Sequence, residues 1–221
     1  MPYSKAHKAR THARIVETAA RAFRERGVEG VRIADVMQSA GLTHGGFYAH
    51  FADKDSLFAE AARQGLYESR QSFLTEAAAA NPEAPLREII RRYVSRRHRD
   101  VPAEGCAMPA LAAEVAREST AVRGAFTSAV EDFVIGLEAY VPGETPDARR
   151  DAALALTAGM VGAVALARAL DDAELSDRIL LATRRFYTAT LVDGAPANGS
   201  SSGDESSAVR RADEAGTRAF A

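Results

Sequence analysis

Cysteine is nearly absent: Cys106 alone stands in 221 residues. One thiol excludes an intramolecular disulfide framework and any cysteine-built zinc cluster, and it suits a reducing cytoplasm. No run of strand length alternates apolar and polar residues, which argues against a sheet. No internal repeat is visible, and neither a glycine-rich phosphate loop nor a metal-ligand spacing is present, so no cofactor, no metal and no enzymatic activity are expected. Charge of one sign is lacking as well. The net charge of −2 gives no overall polyelectrolyte-binding signature, so any basic surface has to be local. The N-terminus carries charge without the apolar core that a signal peptide needs, so secretion is not expected. The longest apolar run, Ala152 to Ala167, is sixteen residues rich in Ala and Gly. That is short for a membrane span of about 20 residues and reads as a helix buried on all sides.

What is present is helix-forming sequence. Apolar residues make up 47% of the chain, enough for a substantial core, and Ala, Leu, Arg and Glu dominate between glycine and proline breaks. The expected fold is all-α, with about nine helices. Charge is unevenly spread: residues 1–57 hold nine Lys and Arg against six Asp and Glu, whereas residues 58–193 hold sixteen against twenty. Lys5, Lys8, Arg10 and Arg14, with His7 and His12, form a basic arm suited to phosphates or a minor groove. The same arm also fits a plain solvated tail.

Ile15, Ala19, Ala22 and Phe23 fall at helical steps and predict a first helix from about His12 to Arg26, stopped by Gly27. A short second helix fits Ile33 to Ala40. After the turn Gly41-Leu42-Thr43, a third fits His44 to about Phe51, with Thr43 as its cap. Two short helices around a glycine-led turn make a helix-turn-helix pattern. Phe47 and Phe51, four apart, share an inward face, while His44, Tyr48 and Ala49 point outward. Gly45 and Gly46 cost about 1 kcal/mol each inside a helix relative to Ala, which close approach of the backbone to DNA would offset.

The stretch from Ala40 to Leu57, with Ala-Gly-Leu-Thr, the Phe47-Tyr48 pair, His50-Phe51 and Asp53-Lys54-Asp55, resembles the TetR/AcrR family of transcriptional repressors. Phe23, Gly27, Ile33 and Val36 sit at the family's spacing as well. The resemblance implies a homodimer on a palindromic DNA operator, released by a small-molecule inducer. It assigns phosphate contacts to Thr43, Tyr48, His50 and Lys54, and base reading mainly to His44, with close contact from Gly45, Gly46 and Ala49. The sequence departs from the family at Val31-Arg32, where a small hydroxyl residue is usual, and Arg32 is left to contact phosphate in its place.

Three regions follow: residues 1–54 as the DNA-binding head, 55–193 as a ligand-binding and dimerisation domain, and 194–221 as a Gly/Ser-rich disordered tail. Asp53 can cap a long helix reaching Ala80 that bridges the first two. Inducer contacts are expected from Phe73, Tyr93, Met108, Leu111, Phe126, Val130 and Phe133, any of which could equally be plain core. Pairing is expected through the last two helices, about 146–170 and 176–192. There Ala155, Gly159, Gly162, Val164 and Ala165 permit close approach and Leu180, Thr183, Phe186 and Tyr187 fill the other side. Cys106 opens a helix, where the dipole favours a thiolate, so a redox- or electrophile-sensing repressor is an alternative, as is a buried structural thiol. An enzyme or small-molecule carrier with an incidental N-terminal bundle is a further alternative. The expected setting is cytoplasmic, with no membrane partner.

Overall fold

The computed structural model describes residues 5–194, so nearly all of the Gly/Ser-rich tail, and residues 1–4, lie outside the described residues. Among these residues every regular element is helical. The first helix, α1 (Lys5–Arg26), starts at Lys5 rather than near His12, so the basic arm is the opening of a helix. Lys, Ala and Arg sustain a helix without an apolar stripe, and the stripe was the only periodic signal. Gly27, at φ 70°, takes the left-handed conformation that ends α1, its N–H returning to the Phe23 carbonyl at 2.9 Å.

α2 (Ile33–Ser39) follows, and Gly41, at φ 68°, turns the chain, with Leu42 N–H closing on the Met37 carbonyl at 2.8 Å. The element after the turn, His44–Ala49, is a 3-10 helix rather than the expected α-helix to Phe51. Two adjacent glycines weaken α-helix formation, and Thr43 makes no capping side-chain bond, so the tighter i to i+3 pattern prevails, as in Gly46 N–H to Thr43 O at 3.0 Å.

Helical backbone then runs unbroken from Lys54 to Ala80, as the Asp53 cap predicts. It comprises α3 (Lys54–Arg70), a π-helical turn (Gln71–Glu76) and α4 (Ala77–Ala80). Asp53 Oδ1 accepts from Ser56 N–H at 2.7 Å and Ser56 Oγ accepts from Asp53 N–H at 3.2 Å, a reciprocal capping box. Next come α5 (Pro85–Tyr93), α6 (Arg96–Asp100), a 3-10 turn (Pro102–Glu104), α7 (Ala107–Val115), α8 (Thr120–Glu138), α9 (Pro146–Ala169) and α10 (Ala173–Leu191). The last begins three residues before the expected Ser176 because Asp172, accepting from Leu175 N–H at 3.0 Å, caps it.

α3 lies between α1 and α8, α8 packs on α9, and α9 pairs with α10. Phe23 of α1 meets Phe58 of α3 edge-on at 5.0 Å, and both are buried. Each such side chain contributes roughly 1.5–3 kcal/mol by leaving water. One continuous apolar core reaches from Ile15 to Leu180, so α1 and α3 serve the head and the body together.

α9 is long and apolar enough by composition to cross a membrane, but it is not buried on all sides as expected. Ala153, Leu156, Met160 and Val164 are buried, whereas Leu154 and Leu166 are 46% and 59% exposed.

Candidate functional site

The turn and the 3-10 helix present an outward ridge. Phe47 and Phe51 stack at 5.5 Å, are buried, and anchor the element to the core. On the opposite side Thr43, His44, Gly45 and Ala49 are exposed, and Tyr48 is 66% exposed with its ring edge toward His44. The inward and outward faces are thus those read from the sequence. Thr43 is exposed and makes no cap bond. Gly45 and Gly46 have no positive φ, and a Cβ built at Gly45 would meet nothing within 4 Å. Neither backbone conformation nor internal crowding therefore requires glycine at position 45.

Arg32, at the entry to α2, leaves its side chain 85% exposed, and Lys54 begins α3 half-buried. His50 is half-buried against His12 (ring centroids 5.7 Å apart). Burial, followed by the nearby charges of His12 and Lys8, lowers its pKa below the ordinary histidine value. Its Nδ1 has no partner among the described residues. His12 joins Glu60 at 2.8 Å and stacks on Phe51 at 4.6 Å, tying α1 to the ridge. Lys5, Lys8, His12, Ala49 and His50 line one shallow pocket of about 330 Å³.

Most of the expected inducer contacts lie in the core. Tyr93, Met108, Leu111 and Phe133 are buried core, with Tyr93 packed between Phe73 (5.0 Å) and Phe133 (6.1 Å), and Phe126 and Val130 are half-buried against it. Large apolar side chains in reach of one another close-pack, which fills the space a ligand would need. Of these residues, Phe73 lines a cleft. That cleft, of about 650 Å³, has a buried floor of Phe73 and His98 and walls of charged side chains from the π-helical turn, α5, α6 and the second 3-10 turn.

Sequence reasoning missed the polar framework behind this cleft. His98, 3% exposed, donates from Nδ1 to the Tyr93 carbonyl at 2.7 Å and accepts at Nε2 from Cys106 N–H at 2.8 Å. Only the neutral tautomer makes both bonds, and burial lowers its pKa to about 4. Arg24, 5% exposed, reaches from α1 to the Ala103 carbonyl and to Glu68, while Glu114 of α7 accepts from Val28 N–H at 2.6 Å. No sequence signal separates Arg24 from the surface arginines around it.

Cys106 caps α7, its sulfur accepting from Met108 N–H at 3.5 Å. It is nonetheless fully buried, and desolvation outweighs the cap and the neighbouring Arg24, pushing the thiol pKa up. That is opposite to the direction expected from the helix dipole.

In the pairing region, Val164 and Leu180 belong to the core rather than to a free face. Gly159 is needed within the chain, because the Tyr187 ring occupies the space of its Cβ while Tyr187 Oη donates to the Ala155 carbonyl at 3.0 Å. Gly162 has nothing near its Cβ position, and Leu154, Leu166, Leu175 and Phe186 stand exposed on α9 and α10.

A helix-turn-helix head with an outward polar ridge, set on an all-α body, defines a helix-turn-helix protein. Residues 15–61 match the family described as bacterial regulatory proteins, tetR family. The chain is similar to the HTH-type transcriptional regulator TtgR of Pseudomonas putida, with 36% identity over 76 residues, 34% of this chain and 36% of that protein. It thus spans little more than a third of the length of the curated relatives it matches. Its fold is that of E. coli NemR in the reduced form (TM-score 0.67, 18% identity, 82% of this chain and 98% of that one). It is also that of a TetR-family transcriptional regulator from Cytophaga hutchinsonii (TM-score 0.65, 22% identity, 84% and 96%). The family match lies in the N-terminal head, and the described residues as a whole share the fold of a TetR-family regulator.

Proposed function

We propose that the protein is a homodimeric transcriptional repressor, not an enzyme. In this reading it holds a palindromic operator through residues 43–54 of each subunit and is released by a small molecule. The observation that carries the reading is the ridge itself: Tyr48 and His44 stand out from the fold, and the space beyond Gly45 is empty. A glycine that the chain does not itself require suits a surface where backbone meets DNA, as direct contact in a major groove demands. Thr43, Tyr48, His50, Lys54 and Arg32 surround it with phosphate-binding chemistry, and the opening of α1 adds Lys5 and Lys8. Base contact falls to His44, with Gly46 and Ala49 in van der Waals reach.

One ridge binds weakly, so pairing is part of the proposal. The apolar face of α9 and α10, with Gly162 open for close approach, is the surface a second copy would cover. The reading places the protein in the cytoplasm, beside the DNA it regulates. Mobility-shift titration with the DNA upstream of its own gene tests it. Binding should weaken steeply with salt and be lost in Tyr48→Ala and Lys54→Ala; indifference to salt and to both substitutions would refute it.

A further inference from the structure

We infer that the polar cleft beside the second 3-10 turn binds a small zwitterion, a molecule with both a carboxylate and an ammonium or similar donor. The cleft's volume, about 650 Å³, suits a metabolite-sized ligand. Three of its lining residues, Ser72, Phe73 and Glu76, come from the π-helical turn Gln71–Glu76. Such an insertion widens a helix at a local energetic cost and is frequent where a side chain must be re-aimed toward a ligand.

The charges in the cleft are incompletely spent. Arg91 commits Nε and Nη2 to Glu88, both at 2.6 Å. Arg92 gives Glu88 only its Nε, at 2.9 Å, and Arg97 gives Glu104 only its Nη2, at 3.1 Å. The terminal nitrogens of Arg92 thus have no partner among the described residues, and neither does the carboxylate of Glu76 in the same cleft. Arg92 and Glu76 line one cavity, carry opposite charge and do not pair. A guanidinium with two free nitrogens matches a carboxylate in bidentate geometry, and a free carboxylate matches a cationic donor.

The cleft is lined by Arg91, Arg92 and Arg97 and by Glu76 and Glu104, and Glu88, bonded to Arg91 and Arg92 from outside the lining, brings the charges into balance, so a ligand of no net charge keeps the site neutral, whereas a simple anion or cation would face a like charge. His98 takes no part in recognition because both its ring nitrogens are already bonded. Val101, Glu104 and Gly105 line the cleft, and within that segment the Ala103 carbonyl holds Arg24 of α1. Occupancy of the cleft therefore bears on the helix that supports the DNA ridge. That consequence, though not the binding, rests on the ligand-release reading above.

A thermal-shift screen of the full chain tests the inference with four probe sets: amino acids, carboxylates without an amine, amines without a carboxylate, and uncharged aromatics. Stabilisation is expected in the amino-acid set alone. Calorimetric affinity for the best probe should fall about tenfold or more in Arg92→Ala and in Glu76→Gln, the loss of one charge-assisted hydrogen bond. Glu76 is exposed, so the isosteric Glu76→Gln should fold like the parent and isolates recognition from stability. The site is refuted if no amino acid binds, if binding is confined to another set, or if Glu76→Gln leaves affinity unchanged. A bound amino acid that leaves DNA affinity unaltered would overturn the ligand-release reading and spare the site. An uncharged compound that releases DNA while no amino acid binds would do the reverse.

Discussion

Arg24 places both Nε and Nη2 on the carbonyl oxygen of Ala103, at 3.0 and 2.8 Å, and the same Nη2 reaches Glu68 at 2.9 Å. An arginine from the last turn of α1 is therefore the direct polar link between the helix under the DNA ridge and the turn that walls the polar cleft. Glu114, accepting from Val28 N–H just beyond the end of α1, fixes the same corner from α7.

Replacing Arg24 by Met should remove this link while keeping much of its volume. Denaturant unfolding is expected to show a loss of about 2–3 kcal/mol, since a buried carbonyl and a carboxylate lose a charged donor. If the link transmits the ligand signal, operator affinity in Arg24→Met should also become insensitive to ligand, erasing a coupling of about 1–3 kcal/mol. Retained sensitivity would place the signal elsewhere.

His98 gives the fold a pH dependence of definite sign. Its folded pKa, about 4, lies below the ordinary histidine value of 6.5, so the unfolded chain takes up a proton that the folded chain refuses. Stability from this group is complete above about pH 6.5 and is lost as pH falls toward 4, by roughly 3 kcal/mol in all. Unfolding curves at a series of pH values should show this decline, and His98→Asn should show a shallower one from a lower starting stability. Equal slopes would deny His98 the role.

Cys106 should resist iodoacetamide in the native protein at neutral pH and react once the chain is unfolded, because it is fully buried with its pKa raised. Rapid native labelling would restore the redox- or electrophile-sensing alternative.

The reading of the chain succeeded where a residue's role is set by near neighbours. The Asp53 cap, the left-handed stops at Gly27 and Gly41, and the inward Phe47 and Phe51 all follow from local spacing, and so did the outward His44, Tyr48 and Ala49. It said less where tertiary contacts decide. Tyr93, Met108 and Phe133 are apolar at helical spacing whether they line a cavity or fill a core, and only the fold shows them buried. Nothing in the sequence marks Arg91, Arg92 and Arg97 as lining a cleft, and only the fold sets Glu76 and a π-helical turn beside them. Val164 and Gly162 are both small and two positions apart, yet one is core and the other lies open, a distinction that depends on where α10 and α8 pack.

Leu166→Glu and Phe186→Glu place a charge on the exposed apolar face of α9 and α10 without entering the core. Each should shift the protein from dimer to monomer in sedimentation experiments at micromolar concentration, with helicity retained, since a buried unpaired carboxylate costs several kcal/mol per interface. Unchanged association would move the pairing surface off these helices.

Gly45→Leu probes the DNA ridge most directly, because none of the described residues lies within 4 Å of the added Cβ. Fluorescence-anisotropy titration of upstream DNA with this variant, alongside its melting curve, should show an undiminished melting temperature and an affinity reduced at least about tenfold, or 1.4 kcal/mol. DNA binding equal to that of the parent protein would contradict the account.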